Sequence, residues 1–188
     1  MKEANNRQTQ AKVLRNFRKL HRLTGAVLFV FFFIVAITGT LLGWKKNSSG
    51  LIMAKSYTGS STDLKEWLSI DSLHHKACAF LRDSVSKDLS TEIDRIDIRK
   101  DKGMVKFTFT KHFTGLQLDG NTGNILHIEK RRADFIEKIH DGSIIDFYFG
   151  GNGYFKLIYT AIMGLALLIF TITGFWLWYG PKRMRRHS

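Results

Sequence analysis

The chain has 188 residues and a formal charge of +13, with 29 Lys and Arg against 16 Asp and Glu. Most of the excess positive charge lies at the two ends, since residues 1–22 carry +6 and residues 180–188 carry +4. The middle shows no basic surface with interleaved aromatic residues, which argues against a nucleic-acid partner. The single cysteine excludes an internal disulfide framework.

Two long uncharged stretches, residues 23–44 and 157–179, predict transmembrane helices. A helix rises about 1.5 Å per residue, so each stretch can cross a hydrocarbon core of roughly 30 Å. The first stretch is longer than the apolar part of a signal peptide, and Gly-Trp-Lys-Lys at 43–46 is a poor cleavage context, so we interpret it as a retained signal anchor. The basic flanks predict cytoplasmic termini and an extracytoplasmic middle.

The middle of the chain predicts a helical segment followed by an antiparallel meander sheet. Apolar residues recur with helical spacing over residues 63–85. Alternating residues then predict four strands, of which residues 105–109 alternate most clearly. Turns are predicted at 101–103 and at 119–123, where the sequence is Asp-Gly-Asn-Thr-Gly. The fold class is therefore α+β, with the helix covering one face of the sheet.

The chain then returns to the membrane. Residues 134–140 predict a short amphipathic helix, and aromatic residues gather before the second apolar stretch, as in an interfacial belt. Gly180-Pro181 predicts the end of the second membrane helix. The predicted parts are a basic cytoplasmic segment, a transmembrane helix, an extracytoplasmic domain with its return segment, a second transmembrane helix and a basic cytoplasmic tail. In the same order they occupy residues 1–22, 23–44, 45–154, 155–179 and 180–188.

Both predicted spans carry the same tripeptide. Residues 37–39 and residues 172–174 are both Ile-Thr-Gly, and tryptophan follows each. Threonine and glycine are common where membrane helices pack closely, so we interpret both copies as packing residues, whether or not a cofactor is present. The two copies run in opposite directions across the membrane and are not translated repeats.

Three short motifs occur in order along the chain. Residues 19–25 read Lys-Leu-His-Arg-Leu-Thr-Gly, residues 118–126 contain the pattern D-x-x-T-G-x-I-L, and residues 139–142 read Ile-His-Asp-Gly. Together with the helix before the strands, they resemble the PepSY-associated transmembrane family from residue 15 onward. The resemblance implies a bacterial inner-membrane protein whose middle is a periplasmic PepSY-like domain.

The resemblance implies two alternative functions. Some larger relatives, with four or more spans, resemble haem-containing reductases that take iron from siderophores. The first expectation is therefore haem-linked electron transfer in periplasmic siderophore reduction, and we favour it because the histidines lie in the family motifs. Two spans require a homodimer or a larger inner-membrane complex to complete the bundle. The second expectation is a non-enzymatic docking subunit that recognises a protein through its PepSY-like domain. Periplasmic protease inhibition rests on the family name alone.

His21 and His140 are the candidate ligands of a b-type haem. Such a haem needs axial imidazoles, small residues beside the ring and cations near its propionates. Gly25 follows His21 by one helical turn, and Arg18 and Arg22 supply positive charge nearby. The alternatives are an interfacial histidine without a ligand at position 21 and a surface histidine at position 140.

The predicted topology places these histidines at opposite membrane ends, with roughly 30 Å of bilayer between them. One chain therefore cannot place both on one haem unless the topology is wrong or His140 enters deep into the bundle. A symmetric dimer that pairs two copies of His21 is one solution. His74 and Cys78 share a helical face, but two ligands do not make a metal site, and Cys78 fits the apolar face. No metalloprotease, serine-hydrolase or phosphate-loop motif occurs, so we assign no catalytic residue.

Overall fold

The computed structural model describes the backbone of residues 2–186 and the side chains of residues 8–183. The outermost residues of the two predicted terminal segments, 1 and 187–188, lie outside the described residues. The described chain contains α1 (Lys2–Trp44), α2 (Ile70–Phe80), β1 (Ile93–Arg99), β2 (Met104–Phe109), β3 (Thr114–Asp119), β4 (Ile125–Lys130), α3 (Arg132–His140), α4 (Ser143–Phe149) and α5 (Tyr154–Arg186).

Helices α1 and α5 are long and apolar enough to cross a membrane, over Gln8–Asn47 and Tyr154–Arg183. They pack side by side in opposite directions. The ring of Phe17 contacts Trp176 at one end of the pair, and the ring of Phe31 contacts Tyr159 at the other. Large apolar side chains on their outer surfaces remain exposed, as expected for helices that face hydrocarbon.

The predicted end of the second membrane helix at Gly180-Pro181 is wrong, because α5 continues through Pro181 to Arg186. Proline removes one backbone hydrogen bond, and a helix can either end at a proline or continue past it with a kink. Here the helix continues. Gly180 lies where α5 contacts α1, since a Cβ atom there would lie 2.6 Å from Leu14 Cδ2. The glycine therefore allows α1 to approach α5 rather than ending the helix.

The four strands form an antiparallel meander in the order β1-β2-β3-β4, as predicted. Val105, Phe107 and Phe109 point to one face of the sheet and are at most 1% exposed. That face packs against α2 and the π-helical turn Leu81–Val85, through Leu73, Ala77 and Leu81. Burial of each large apolar side chain contributes about 1.5–3 kcal/mol. Cys78 packs at the edge of this core, as expected, and burial raises the pKa of its thiol.

The second face of the sheet carries a buried polar layer. Gln117 and Glu129 are almost fully buried, and Gln117 Nε2 donates to Glu129 Oε2 at 2.8 Å. Lys106 forms an ion pair with Glu129. The amide of Tyr57 donates to Gln117 Oε1 at 3.0 Å, which fixes an extended segment over this face. Because every charge in the layer is paired, its burial is tolerated.

Asp119 joins that covering segment to the turn between β3 and β4. Its carboxylate accepts hydrogen bonds from the amide and hydroxyl of Ser60, at 3.0 and 3.1 Å, and from the amide of Asn121 at 2.9 Å. Burial alone would raise the pKa of Asp119, but the hydrogen bonds from Ser60, Asn121 and Thr122 outweigh it and hold the pKa below its ordinary value.

Arg131 connects the sheet to the helices that return to the membrane. The guanidinium is buried, and its Nε and Nη2 atoms bind Asp134 and Asp94 at 2.6 and 3.0 Å. Its Nη1 atom also donates to the carbonyl of Phe109 at 3.2 Å. This set of contacts fixes the start of α3 against β1 and β2.

Gly142 connects α3 to α4 with a left-handed backbone angle, φ +76°. A Cβ atom at this position would lie 2.7 Å from the ring of Tyr159 on α5. Beside it, Asp141 binds Lys156 Nζ at 2.6 Å, so the turn is attached to α5 by an ion pair as well. The last residue of α3, His140, is thereby held against the membrane helices.

We call the sheet, α2 and the extended segment that covers the sheet the lobe. Asp119→Asn is expected to destabilise the lobe by about 1–3 kcal/mol, because an amide has one acceptor oxygen where the carboxylate has two. A carboxylate whose pKa is lowered by folding stabilises fully above its unfolded pKa of about 3.9, and this contribution is lost as the pH falls through the folded value. The wild type should therefore lose more stability on acidification than the variant. Hydrogen exchange of residues 57–61 measures both effects.

Asp101→Asn is the matched control, since Asp101 is exposed and its side chain has no hydrogen bond or ion pair with a described residue. Equal exchange in the two variants would contradict the role given to Asp119.

Gly142→Ala is expected to destabilise the return helices more than Gly150→Ala. Both glycines have φ above +70°, so both substitutions carry a similar backbone strain of about 1–3 kcal/mol. Only at Gly142 does a Cβ atom meet a neighbour, because nothing lies within 4 Å of the one at Gly150. Hydrogen exchange across residues 132–149 compares them, and similar effects would mean that the contact with Tyr159 does not constrain the turn.

Candidate functional site

Two histidines enter the seam between α1 and α5 from different elements. His21 lies on α1, and its Nδ1 atom is 2.9 Å from Thr173 Oγ1 on α5. His140 ends α3, and its Nδ1 atom is 2.9 Å from Thr38 Oγ1 on α1. Both threonines are buried, with 2% of Thr173 and 7% of Thr38 exposed. Each histidine thus contacts the threonine of one Ile-Thr-Gly tripeptide.

The glycines of the tripeptides complete both contacts. A Cβ atom on Gly39 would lie 3.3 Å from His140 Cε1, and one on Gly174 would lie 3.5 Å from His21 Cε1. The absence of a side chain at Gly39 lets the ring of His140 approach the helix backbone, whereas a Cβ atom at Gly174 would make an ordinary contact with His21. The repeated tripeptide is visible in the sequence, but its histidine partners are not, because they are 102 and 152 residues away along the chain.

His21 also stacks on an aromatic ring of the facing helix. The ring centroids of His21 and Phe170 are 3.8 Å apart, with an angle of 29° between the planes. Gly25 makes room for this ring, because a Cβ atom there would lie 3.1 Å from Phe170 Cε2. Gly25 was predicted to lie beside a haem, and in the structure it lies beside Phe170 and lines the adjacent cavity.

A cavity of about 760 Å³ extends along the seam between the two histidine levels. Gly25 and Phe170 line one end, and His140 and Asp141 line the other. Cofactor and ligand sites in proteins commonly measure about 300–1,000 Å³ and are mostly apolar. The wall between the two ends is almost wholly apolar and includes Phe29, Phe32, Val35, Ala36, Met163 and Leu167.

Asp141 is the charged group next to His140. Its carboxylate accepts a hydrogen bond from the amide of Ser143 at 2.9 Å and binds Lys156 Nζ at 2.6 Å. Burial alone would raise the pKa of Asp141, but the bonds from Lys156 and Ser143 outweigh it and hold the pKa below its ordinary value. The carboxylate of Asp141 is therefore already paired with Lys156 and Ser143, and the Nδ1 atom of His140 bonds to Thr38 instead.

The two histidines lie at well-separated levels of the helix pair. His21 and Thr38 are 17 residues apart on α1, which corresponds to about 25 Å at 1.5 Å per residue. Since His140 contacts Thr38, the two imidazoles are separated by a similar distance. Within one chain they cannot bind the same iron, in agreement with the argument from topology.

Of the predicted site residues, His140 and Gly25 line the cavity, whereas His21, Arg18 and Arg22 do not. Arg18 and Arg22 flank His21 on α1, are exposed, and make no ion pair with another residue in the described part of the chain. His74 lies against Phe107 on the lobe, and its Nε2 atom is buried without a hydrogen-bond partner. Among the described residues, no group of three His, Cys, Asp or Glu side chains could hold a metal ion.

Comparison with known proteins identifies the family. Residues 18–188 match the family model described as the PepSY-associated TM region. Searches of curated proteins and of solved structures gave no match. The matched region includes α1 from residue 18 onward, the lobe, α5 and both seam histidines. This chain is therefore a membrane protein that belongs to the PepSY-associated transmembrane family.

Proposed function

We propose that this protein is a bacterial inner-membrane subunit that binds haem b through His21 and His140 and takes part in electron transfer to ferric siderophores in the periplasm. The observation that carries the proposal is the pair of imidazoles in the α1–α5 seam. Each is bonded at Nδ1 to a buried threonine, and the Nε2 atoms of both rings have no hydrogen-bond partner among the described residues.

The residues around the seam fit a haem in shape and chemistry. The cavity is large, apolar and lined by His140 at one end, and Gly25 and Gly39 leave room for the rings of Phe170 and His140. Imidazole is the common axial ligand of b-type haem, and haem supplies one-electron chemistry when bound. Arg18 and Arg22 are exposed beside His21 and supply positive charge for propionate groups at that level.

The proposal includes a second copy of the chain, which supplies the second imidazole at each level. Each histidine level has one imidazole per chain, and the two levels are about 25 Å apart. A two-fold axis along the membrane normal brings each histidine near its own copy, and so provides two imidazoles at both levels. The outer surfaces of α1 and α5 carry exposed apolar side chains that suit either such a homodimer or a larger membrane complex.

A docking subunit is the second candidate function. Strand β1 pairs only with β2, and β4 pairs only with β3, so within the described chain both are edge strands. Ile98 on β1 and Ile128 on β4 are 53% and 44% exposed. An edge strand with an exposed apolar side chain can accept a strand from a partner protein. On this alternative the PepSY-like domain recognises protein in the periplasm, and no haem is needed.

Haem-replete expression of the full chain tests the first function. We expect a Soret band in the detergent-solubilised wild type, about half of the haem in His21→Ala and in His140→Ala, and none in the double variant, because the two levels bind independently. His75→Ala is the control, since His75 is exposed on α2 and its only ion pair is with Asp71. A wild type without a Soret band would reject haem binding, and a stoichiometric co-purified protein would then support docking.

The proposed orientation has both termini in the cytoplasm and the lobe in the periplasm, as the basic flanks predict. Lys87→Cys and Arg183→Cys, each in a Cys78→Ala background, place a thiol at an exposed position on the lobe and at the opposite end of α5. In intact spheroplasts we expect an impermeant maleimide to label only Lys87→Cys, with Arg183→Cys labelled after lysis. The reverse pattern would contradict the orientation.

A further inference from the structure

We propose that Thr38 and Thr173 are positioning residues that hold His140 and His21 in the Nδ1–H tautomer, so that the Nε2 lone pair of each ring remains available to a haem iron. The identity of the metal group rests on the proposed function. The tautomer does not, because it follows from hydrogen bonds within the chain.

The hydroxyl proton of each threonine is already used within its own helix. Thr38 Oγ1 lies 2.7 Å from the carbonyl oxygen of Ile34, and Thr173 Oγ1 lies 2.7 Å from that of Ile169. A hydroxyl has one proton, and a carbonyl oxygen can only accept. Each threonine therefore donates to the carbonyl four residues earlier, a common conformation of threonine in helices.

The imidazole must then supply the proton of the second bond. Nδ1 of each histidine is 2.9 Å from an oxygen whose own proton points elsewhere, so Nδ1–H is the donor. A neutral imidazole carries one N–H, and a proton on Nδ1 leaves Nε2 with a free lone pair. An imidazole binds a metal through such a lone pair, and its other nitrogen donates to a partner that fixes the ring.

Three further observations indicate that these contacts do more than pack the helices. It occurs twice, with equal distances, from histidines on different elements. Both threonines are buried, so water does not replace them as partners of Nδ1. The glycine after Thr38 removes a Cβ atom that would lie only 3.3 Å from His140 Cε1, whereas a Cβ atom at Gly174 would make an ordinary contact of 3.5 Å with His21 Cε1.

The chain offers matched variants for a test. Thr38→Val and Thr173→Val keep the side-chain shape and remove the hydroxyl, whereas Thr38→Ser and Thr173→Ser keep it. Thr40→Val and Thr171→Val are controls, because Thr40 and Thr171 donate to the carbonyl four residues earlier at 2.9 and 2.8 Å but are exposed and contact no histidine.

Nitrogen NMR of the haem-free, histidine-labelled full chain in detergent reads the tautomer directly, at a pH about two units above the ordinary histidine pKa of about 6.5. We expect Nδ1–H for both rings in the wild type, with resonances assigned from His21→Gln and His140→Gln. Thr38→Val should lower the ratio of Nδ1–H to Nε2–H about three- to tenfold at His140 only, and Thr173→Val should do so at His21 only. The serine and control variants should keep the wild-type ratio.

Haem titration of the same variants separates this inference from the proposed function. We expect haem affinity to fall about 10- to 100-fold in the valine variants and to recover with serine, as for other groups that orient metal ligands. The assignment of Thr38 and Thr173 as positioning residues would be overturned if the wild-type rings carried the proton on Nε2. It would also be overturned if the valine variants kept the Nδ1–H tautomer. A changed tautomer with unchanged haem affinity would overturn their role toward the metal. If the wild type has Nδ1–H rings but binds no haem, the tautomer assignment is supported and the proposed function is rejected.

Discussion

Polar groups inside the pair of membrane helices must bind one another, because hydrocarbon supplies no hydrogen-bond partner. Within the described part of the seam, this constraint is met by the two histidine–threonine bonds and by threonines that donate to their own helices, and the Nε2 atoms of the two histidines are exceptions. The bonds also determine how the elements are arranged, since His140 can reach Thr38 only if α3 bends into the seam. The lobe and the membrane helices are therefore joined through a polar contact in the seam.

Attachments of α3 to the lobe and to α5 hold the contact between His140 and Thr38 in place. The apolar core of the lobe lies on the α2 side of the sheet, and its buried polar layer lies on the other side under the segment that follows α1. Arg131 fixes α3 to the sheet, and the ion pair between Asp141 and Lys156 fixes the end of α3 to α5. His140 is thus located by two attachments on either side of one short helix, which limits how far its ring can move.

The seam contains an inverted local repeat. A histidine from outside each tripeptide meets the threonine and glycine of Ile-Thr-Gly, once toward each end of the helix pair. The two environments differ beyond that common part, because His21 stacks on Phe170 and His140 lies beside the paired carboxylate of Asp141. The two imidazoles therefore share one hydrogen bond and differ in their other neighbours.

Sequence alone determined the features that depend on local pattern. The length and lack of charge of two stretches predicted the membrane helices, strict alternation predicted the strands, and Asp-Gly-Asn-Thr-Gly predicted the turn that Asp119 stabilises. Each of these follows from residues that are close in the chain. The separation of His21 and His140 was predicted as well, because the predicted topology placed them at opposite ends of a bilayer core roughly 30 Å thick.

Tertiary structure decided which distant residues meet. Helix α5 continues through Pro181, with Gly180 close to Leu14 of α1. The pairing of His21 with Thr173 and of His140 with Thr38 spans more than 100 residues. Sequence spacing carries no signal for such contacts, because they form only when separate helices have packed and each polar group has to find a partner in the same apolar seam.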